Sequence, residues 1–268
     1  MSTTKKKTHK KKKKNKSHKI IILLLIILGM TIFAMITPIF NITEITVEGN
    51  NKIDKETVIS YSGLTIGENI FRNLKSKVEI NIKENSYIKE AIMKRKLPGT
   101  IELKVEEREI AYQIQLIDGY IYIDNQGYIL ENNSKKAKVP NLEGIATTQE
   151  ELLNSKRLNS EDLNKLNTIN RIIDSVKSIE IEEKITTINA ENTNEYILYL
   201  KSEDKYIYLG NANNLNNKIL YIQMMLNQEK GTPGTMFING DLNEGFKPYF
   251  REKVKENNDK EKKGDKNE

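Results

Sequence analysis

The sequence predicts an α+β protein: an N-terminal transmembrane helix, a unit of strand-helix-helix-strand-strand order, and a mixed β-rich domain with two helices. Three observations predict this class: an uncharged apolar run near the N-terminus, short alternating segments bounded by turn residues, and apolar residues at steps of three and four. We expect a basic tail at 1–19, the membrane helix at 20–40, the first domain at 41–109, the second domain at 110–250 and a disordered tail at 251–268.

The apolar run extends from Ile20 to Phe40 and contains 21 residues without a charge. As a helix rising about 1.5 Å per residue, it reaches roughly 30 Å, the thickness of the bilayer hydrocarbon. A cleaved signal peptide usually has a shorter apolar core that ends in a small-x-small site. The nearest candidate here, Ala34-Met35-Ile36, ends in a bulky residue. We therefore expect a retained, single-span anchor.

The flanks of this run predict its orientation. Residues 1–19 carry ten lysines and no acidic residue, and lysines close to a span are held on the cytoplasmic side. We therefore expect the N-terminus in the cytoplasm and the C-terminus outside the cell membrane. The topology determinants are Lys10, Lys11, Lys12, Lys13, Lys14, Lys16 and Lys19.

The net charge of +6 does not indicate nucleic-acid binding. Without the ten tail lysines, 33 basic and 37 acidic residues remain, and the tail has no aromatic residue on which a base could stack. The chain has no cysteine, and both histidines, His9 and His18, lie in the tail. Zinc sites of the Cys/His type and histidine-dependent catalysis therefore lack their residues. We expect no cofactor and no metal site, and most enzyme chemistry outside the membrane is excluded on this ground.

Serine-lysine chemistry and paired carboxylates are the catalytic classes that composition leaves open. The Ser-x-x-Lys motif of penicillin-binding proteins occurs outside the tail at Ser86 with Lys89 and at Ser202 with Lys205. Neither Ser-Asp-Asn nor Lys-Thr-Gly, the motifs that accompany it in those enzymes, is found in the chain. We interpret both matches as chance, because serine and lysine are abundant.

The first half of the 41–109 unit predicts a strand and two helices. Alternation of Ile45 and Val47 with polar residues indicates a half-buried strand. Asp54 is predicted to cap the next helix, because its carboxylate can accept a free backbone N–H. Leu74, Val78 and Ile82, spaced by four, predict one buried face of a second helix.

Two strands complete this unit, at Tyr87–Lys96 and Thr100–Glu107. Pro98 and Gly99 between them are the residues that a type II turn favours at its centre. In the second strand, alternate residues predict one buried and one solvated face. The buried set is Ile101, Leu103 and Val105, and the solvated set is Glu102, Lys104 and Glu106.

The second domain is predicted to contain hairpins and two amphipathic helices. One hairpin joins Tyr120–Ile123 to Tyr128–Leu130, and another joins Tyr196–Leu200 to Tyr206–Leu209, by their turn residues. Ser160 is predicted to cap the first helix. Apolar residues at helical spacing predict the core-facing sides of both helices. These residues are Leu163, Leu166, Ile169, Ile173 and Val176, then Leu215, Ile219, Ile222 and Leu226.

Several short motifs follow the basic tail and the span in a fixed order. They are Val47-Glu48-Gly49-Asn50, Ser62-Gly63-Leu64, Gly67-Glu68-Asn69-Ile70-Phe71, Arg95-Lys96-Leu97-Pro98-Gly99-Thr100 and Leu103-Lys104-Val105-Glu106-Glu107-Arg108. In this order they resemble the external part of the bacterial cell-division proteins FtsQ and DivIB. The resemblance implies that the first unit is a POTRA domain and the second is the β domain of that family.

The resemblance also implies a function. It is that of a non-enzymatic divisome scaffold at the division septum, linking the cytoplasmic division assembly to external septal wall synthesis. The implied partners are other bitopic division proteins, of the FtsB (DivIC) and FtsL types. The alternatives from other classes are a POTRA-bearing translocation or sporulation-channel component and a membrane-anchored wall enzyme that uses carboxylates.

Partner binding is predicted to occur by β-augmentation, in which a partner segment adds as a strand to an exposed sheet edge. The predicted edge consists of Lys247, Pro248, Tyr249 and Phe250. Proline is confined to edge strands because it has no N–H for a central ladder. The two aromatic side chains suit the anchoring of a partner, and the alternative is that they close the core of the second domain.

Overall fold

The computed structural model describes residues 16–254, and its first element is the apolar helix. Helix α1 spans Lys16–Ile36, and its section His18–Ile36 is long and apolar enough to cross a membrane. The predicted span extended to Phe40, but the helix ends four residues earlier. Pro38 is the reason, because proline disfavours helical geometry in the residue before it, and Thr37 is extended, with φ −69° and ψ 134°. A 3-10 turn, Pro38–Phe40, follows.

The first compact unit contains α1 and a small α/β arrangement, with the order that the sequence predicts. Its other elements are β1 (Glu44–Glu48), α2 (Lys55–Ser62), α3 (Lys75–Ile82), β2 (Ile88–Lys96) and β3 (Thr100–Glu107). Within the described residues of this unit, the three strands form a sheet of order β1-β3-β2, in which β1 is parallel and β2 antiparallel to β3. The predicted buried residues Ile101, Leu103 and Val105 lie in its core.

The segment between α1 and β1 is hydrogen-bonded to two loops of the same unit. Ile42 donates its N–H to the Glu68 carbonyl over 2.7 Å, and Ile70 donates to the Phe40 carbonyl over 2.8 Å. On the other side, Thr43 donates to the Gly99 carbonyl over 2.8 Å. The helix and the first strand are therefore joined by a fixed segment rather than by a flexible linker.

Local predictions for this unit have mixed outcomes. Asp54 caps α2 as predicted, and its carboxylate accepts the Thr57 N–H over 2.7 Å. Val78 and Ile82 are buried, but Leu74 precedes α3 as its N-cap residue and is 69% exposed. The prediction for Leu74 was wrong because the helix begins one residue later, which turns this side chain outward.

The turn between β2 and β3 is not the predicted type II turn. The Leu97–Pro98 peptide bond is cis, and Gly99 lacks the positive φ that a type II turn requires. Glycine is needed there for a different reason, since a Cβ atom at Gly99 would lie 2.5 Å from the Asn41 carbonyl oxygen. The close approach of the segment after α1 therefore selects glycine at this position.

Glu102 is the exception on the predicted solvated face of β3. Only 3% of it is exposed, because Lys96 and Lys104 form ion pairs over its carboxylate. Hydrogen bonds from Lys96 and then from Lys104 lower the pKa of Glu102. The outward position was predicted correctly, but its coverage by neighbouring lysines depends on strand pairing that sequence alone does not give.

The second compact unit comprises Asn85–Tyr87 and the described residues from Arg108 onwards. Two α-helices and nine strands are found among residues 108–254. The helices are α4 (Ser160–Val176) and α5 (Leu215–Gln228). The strands are β4 (Tyr112–Gln115), β5 (Tyr120–Ile123), β6 (Ile129–Asn133), β7 (Asn141–Glu143), β8 (Ile185–Asn189), β9 (Tyr196–Leu200), β10 (Lys205–Gly210), β11 (Gly234–Phe237) and β12 (Tyr249–Glu252).

These nine strands form one sheet of order β12-β11-β10-β9-β8-β7-β4-β5-β6. Both predicted hairpins are present, as the antiparallel pairs β5–β6 and β9–β10. The apolar sides of α4 and α5 pack with the sheet in one core, which includes Ile169, Ile222, Leu198 and Ile207. The cap of α4 differs from the prediction: Asn159, not Ser160, is the N-cap residue, and its side chain accepts the Asp162 N–H over 2.9 Å.

Candidate partner-binding edge

Strand β12 is one of the two edge strands of the sheet in the second unit, with β11 as its neighbour. The two strands are antiparallel, and Tyr249 lies opposite Phe237. Within residues 16–254, no strand pairs with the outer side of β12. This edge strand contains Tyr249 and Phe250, two of the four residues at which partner binding is predicted.

The hydrogen-bonding pattern shows which backbone groups of β12 point outward. Lys253 donates its N–H to the Pro233 carbonyl over 2.9 Å, so the backbone of Lys253 faces β11. Because backbone groups alternate in direction along a strand, those of Arg251 and Tyr249 also face β11. The N–H and C=O groups of Phe250 and Glu252 therefore point away from the sheet, and they are the groups that an added strand would contact.

Phe250 lies on the core side of the sheet. Its side chain is half-buried and packs against the core of the second unit. Its ring also lies over Gly234, where a Cβ atom would collide with it. Phe250 therefore helps to close the core of the second unit, which is the alternative to partner binding considered above. Glycine at position 234 makes room for its ring.

Tyr249 lies on the opposite face, where it ends a row of stacked aromatic rings. The ring centroids of Tyr208 and Phe237 are 5.2 Å apart, and those of Phe237 and Tyr249 are 4.8 Å apart. The guanidinium of Arg251 lies 5.0 Å from the Phe237 ring centroid. Stacked aromatic pairs and cation–π contacts each contribute about 1 kcal/mol. Tyr249 is 43% exposed, so the row has an accessible end at the edge strand.

An ion pair fastens the C-terminal end of β12 to the β9–β10 turn. Lys253 Nζ lies 2.7 Å from Asp204 Oδ2, and the Tyr199 hydroxyl donates to Asp204 over 3.1 Å. These bonds, with Lys253 as the largest cause, lower the pKa of Asp204. The same pair raises the pKa of Lys253. The edge strand is therefore held by its neighbour along its length and by a charge pair at its end.

The structure places two of the four predicted edge residues in β12 and two before it. Tyr249 and Phe250 begin β12, whereas Lys247 and Pro248 precede it. Arg251 and Glu252 belong to β12, although the sequence pattern assigned them to the tail. Their charge could have indicated this strand, because charged residues are typical of edge strands.

The predicted topology determinants Lys16 and Lys19 lie in α1, and Lys10, Lys11, Lys12, Lys13 and Lys14 lie outside the described residues.

Three residues of the two Ser-x-x-Lys matches make ordinary structural contacts. The Ser86 hydroxyl donates to the Leu130 carbonyl, and Lys89 pairs with Glu106 over 2.6 Å. Lys205 is buried and pairs with Glu203 over 3.2 Å. Among residues 16–254, no group of three or more His, Cys, Asp or Glu residues is arranged to hold a metal ion.

Comparison with known proteins connects this architecture to a family. The protein-family model described as "POTRA domain, FtsQ-type" matches residues 40–108. The DivIB cell division protein of Clostridium tetani is 30% identical over 212 residues, which cover 78% of this chain and 78% of the relative. This chain belongs to the DivIB/FtsQ family.

Further relatives come from both branches of the family. The DivIB protein of Clostridium acetobutylicum is 31% identical over 68% of this chain and 72% of its own length. The FtsQ protein of Corynebacterium glutamicum is 28% identical over 74% of this chain and 84% of its own length. The segment matched by the DivIB/FtsQ POTRA model contains β1 to β3, α2 and α3. Residues 40–108 of the first unit are therefore a POTRA domain, as the family resemblance implies.

Proposed function

We propose that this chain is a non-enzymatic scaffold of the cell-division machinery. It is anchored by α1 with its N-terminus in the cytoplasm, and its two compact units lie outside the membrane at the division septum. There it links the cytoplasmic division assembly to external septal wall synthesis by binding other bitopic division proteins. Support comes from the family membership, the apolar helix, and the ten lysines of residues 1–19 at its N-terminal side.

The observation that carries this proposal is the outer side of β12. A free strand edge is a template for pairing with another chain, and such pairing is a common mode of peptide recognition. We propose that a segment of an FtsB/DivIC-type or FtsL-type protein adds to β12. The backbone groups of Phe250 and Glu252 would hold the added strand, and the exposed Tyr249 ring would contact its side chains.

The test uses two substitutions at Glu252 in the full-length chain. Glu252→Pro removes an outward N–H and places a ring on the outer side of β12, while leaving the bonds between β12 and β11 intact. Glu252→Ala keeps the N–H and removes only the side chain. The full-length variants are reconstituted with the DivIC-type protein of the same genome, and the dissociation constant is measured.

We expect Glu252→Pro to weaken binding about tenfold, since a lost backbone hydrogen bond of about 1.4 kcal/mol has that effect. Glu252→Ala should bind nearly as the unchanged chain does. Thermal unfolding of both variants serves as the folding control. Equal affinities for the two variants, with both folded, would show that strand addition at β12 is not the binding mode.

A further inference from the structure

The end of α1 is in direct contact with a loop of the POTRA domain. Asn69 donates its side-chain N–H to the Ala34 carbonyl over 2.8 Å, within the last turn of the helix. The rings of Phe40 and Phe71 meet edge to face with centroids 5.4 Å apart. Because a helix rises about 1.5 Å per residue, Ala34 lies about 3 Å before the end of α1. The loop that carries Asn69 therefore lies at the level where the apolar helix ends.

A second loop is fastened to the same place. The turn between β2 and β3 accepts the Thr43 N–H through the Gly99 carbonyl. Arg95, near the end of β2, donates to the carbonyls of Ile70 and Asn73, which belong to the first loop. Both loops therefore surround the chain where it leaves α1.

The two loops carry apolar side chains that the domain leaves uncovered. Leu74 is 69% exposed, Leu97 is 60% exposed and Ile66 is 57% exposed. Two cationic residues, Arg72 and Lys96, are exposed beside them. Lys96 also pairs with Glu102, and the half-buried Glu68 accepts the Asn73 side-chain amide. We call Ile66, Arg72, Leu74, Lys96 and Leu97 the juxtamembrane face.

We propose that the juxtamembrane face rests on the bilayer surface next to the end of α1. Ile66, Leu74 and Leu97 would enter the boundary between headgroups and acyl chains, as apolar residues of interfacial segments do. Arg72 and Lys96 would keep their aliphatic stems on this boundary and their charges at the lipid phosphates. The bilayer is the occupant that the geometry favours, because the face begins within one helical turn of the apolar span.

This inference rests on the anchoring by α1 and does not depend on partner binding at β12. The chain contains no tryptophan, so one substitution introduces a single fluorophore. The test uses full-length Leu97→Trp in nanodiscs of phosphatidylethanolamine and phosphatidylglycerol, with or without bromine on the acyl chains near the headgroup. Bromine quenches tryptophan only at short range.

The matched control is Ile92→Trp in β2, the strand that leads into the turn with Leu97. Ile92 is 46% exposed and lies five residues before Leu97, which is about 17 Å along a strand at about 3.3 Å per residue. We expect the emission of Leu97→Trp to shift to shorter wavelength and to be lost in brominated nanodiscs. The emission of Ile92→Trp should keep its wavelength and intensity.

A second variant, Leu74→Trp, tests the other loop in the same way. Circular dichroism of each variant serves as the folding control, and these exposed positions tolerate a larger side chain. If both loop variants are folded and are quenched no more than Ile92→Trp, the proposal is wrong. No partner protein is present in the nanodiscs, so this outcome would leave strand addition at β12 unaffected.

Discussion

The outward face of the POTRA sheet and the outward face of the sheet near β12 are built from different residues. On the POTRA sheet, Lys104 pairs with Glu48 over 2.7 Å and with Glu102 over 3.2 Å. Near β12, the outward face of the other sheet instead carries the stacked rings of Tyr208, Phe237 and Tyr249. Charged pairs satisfy one another and are screened by water, whereas a row of rings ends with an uncovered apolar surface. Because an exposed aromatic side chain can anchor a partner, we expect the face near β12, and not the charged face of the POTRA sheet, to take part in the proposed binding.

The largest expected effect separates the two aromatic residues of β12. Phe250→Ala should lower the free energy of unfolding of the second unit by about 2 kcal/mol, less than for a fully buried phenylalanine, because the ring is half-buried. Tyr249→Ala should cost about 1 kcal/mol, the contribution of one aromatic pair. Urea unfolding of the full-length variants provides the measurement.

Among folded variants, we expect Tyr249→Ala to weaken partner affinity more than Phe250→Ala does, the reverse of their effects on stability. Tyr249→Ala removes the accessible end of the aromatic row and should weaken capture of the DivIC-type partner, whereas Phe250→Ala should act through stability alone. If Tyr249→Ala leaves both stability and partner affinity unchanged, the aromatic row has no role in recognition. A double substitution would mix the two effects, so the residues are best changed separately.

An intermediate effect concerns the ion pair at the end of β12. A lowered carboxyl pKa means that the Asp204 contacts stabilise the fold fully above the ordinary value of 3.8 and are lost as the pH falls through the lowered pKa. Titration of the Asp204 carboxyl by NMR should therefore give a midpoint below 3.8.

The matched variant for this titration is Lys253→Ala. It should move the midpoint of Asp204 back towards 3.8, with Tyr199 still contributing a smaller lowering. The exchange of the residue 253 amide hydrogen should become faster, because the strand end loses its charge pair. A midpoint that does not change on this substitution would exclude Lys253 as the main cause.

The smallest expected effect lies on the POTRA sheet. Lys104→Ala removes the partner of the exposed Glu48, and exposed ion pairs contribute little. The buried Glu102 loses one of its two lysines but keeps Lys96. Its effect on thermal unfolding should be small at low salt and absent at about 1 M salt, where screening extends over about 3 Å. Partner affinity should not change. A large loss of stability that persists at high salt would show that the coverage of Glu102 matters more than surface pairs usually do.

Local sequence patterns predicted those features that depend on neighbours in the chain. The alternation in β3 and the cap at Asp54 are set within a few residues, so both were predicted. Leu74 was misjudged because α3 begins one residue later than predicted, whereas the surroundings of Gly99 and the coverage of Glu102 depend on other segments of the chain. Asn41 approaches Gly99 in space, and Lys96 reaches Glu102 across a strand pair. Partner binding at Lys247, Pro248, Tyr249 and Phe250 stays a prediction, and the division of the two rings between opposite faces depends on the register with β11.

The short connection after α1 has a mechanical consequence. Only Thr37 separates the helix from the 3-10 turn, and the following residues are hydrogen-bonded into the POTRA domain. Rotation of α1 about its own axis must therefore rotate the POTRA domain with it. A neighbouring membrane helix that packs against one side of α1 would select the direction in which the domain faces. In this way, contacts inside the bilayer can transmit torque to a domain outside it.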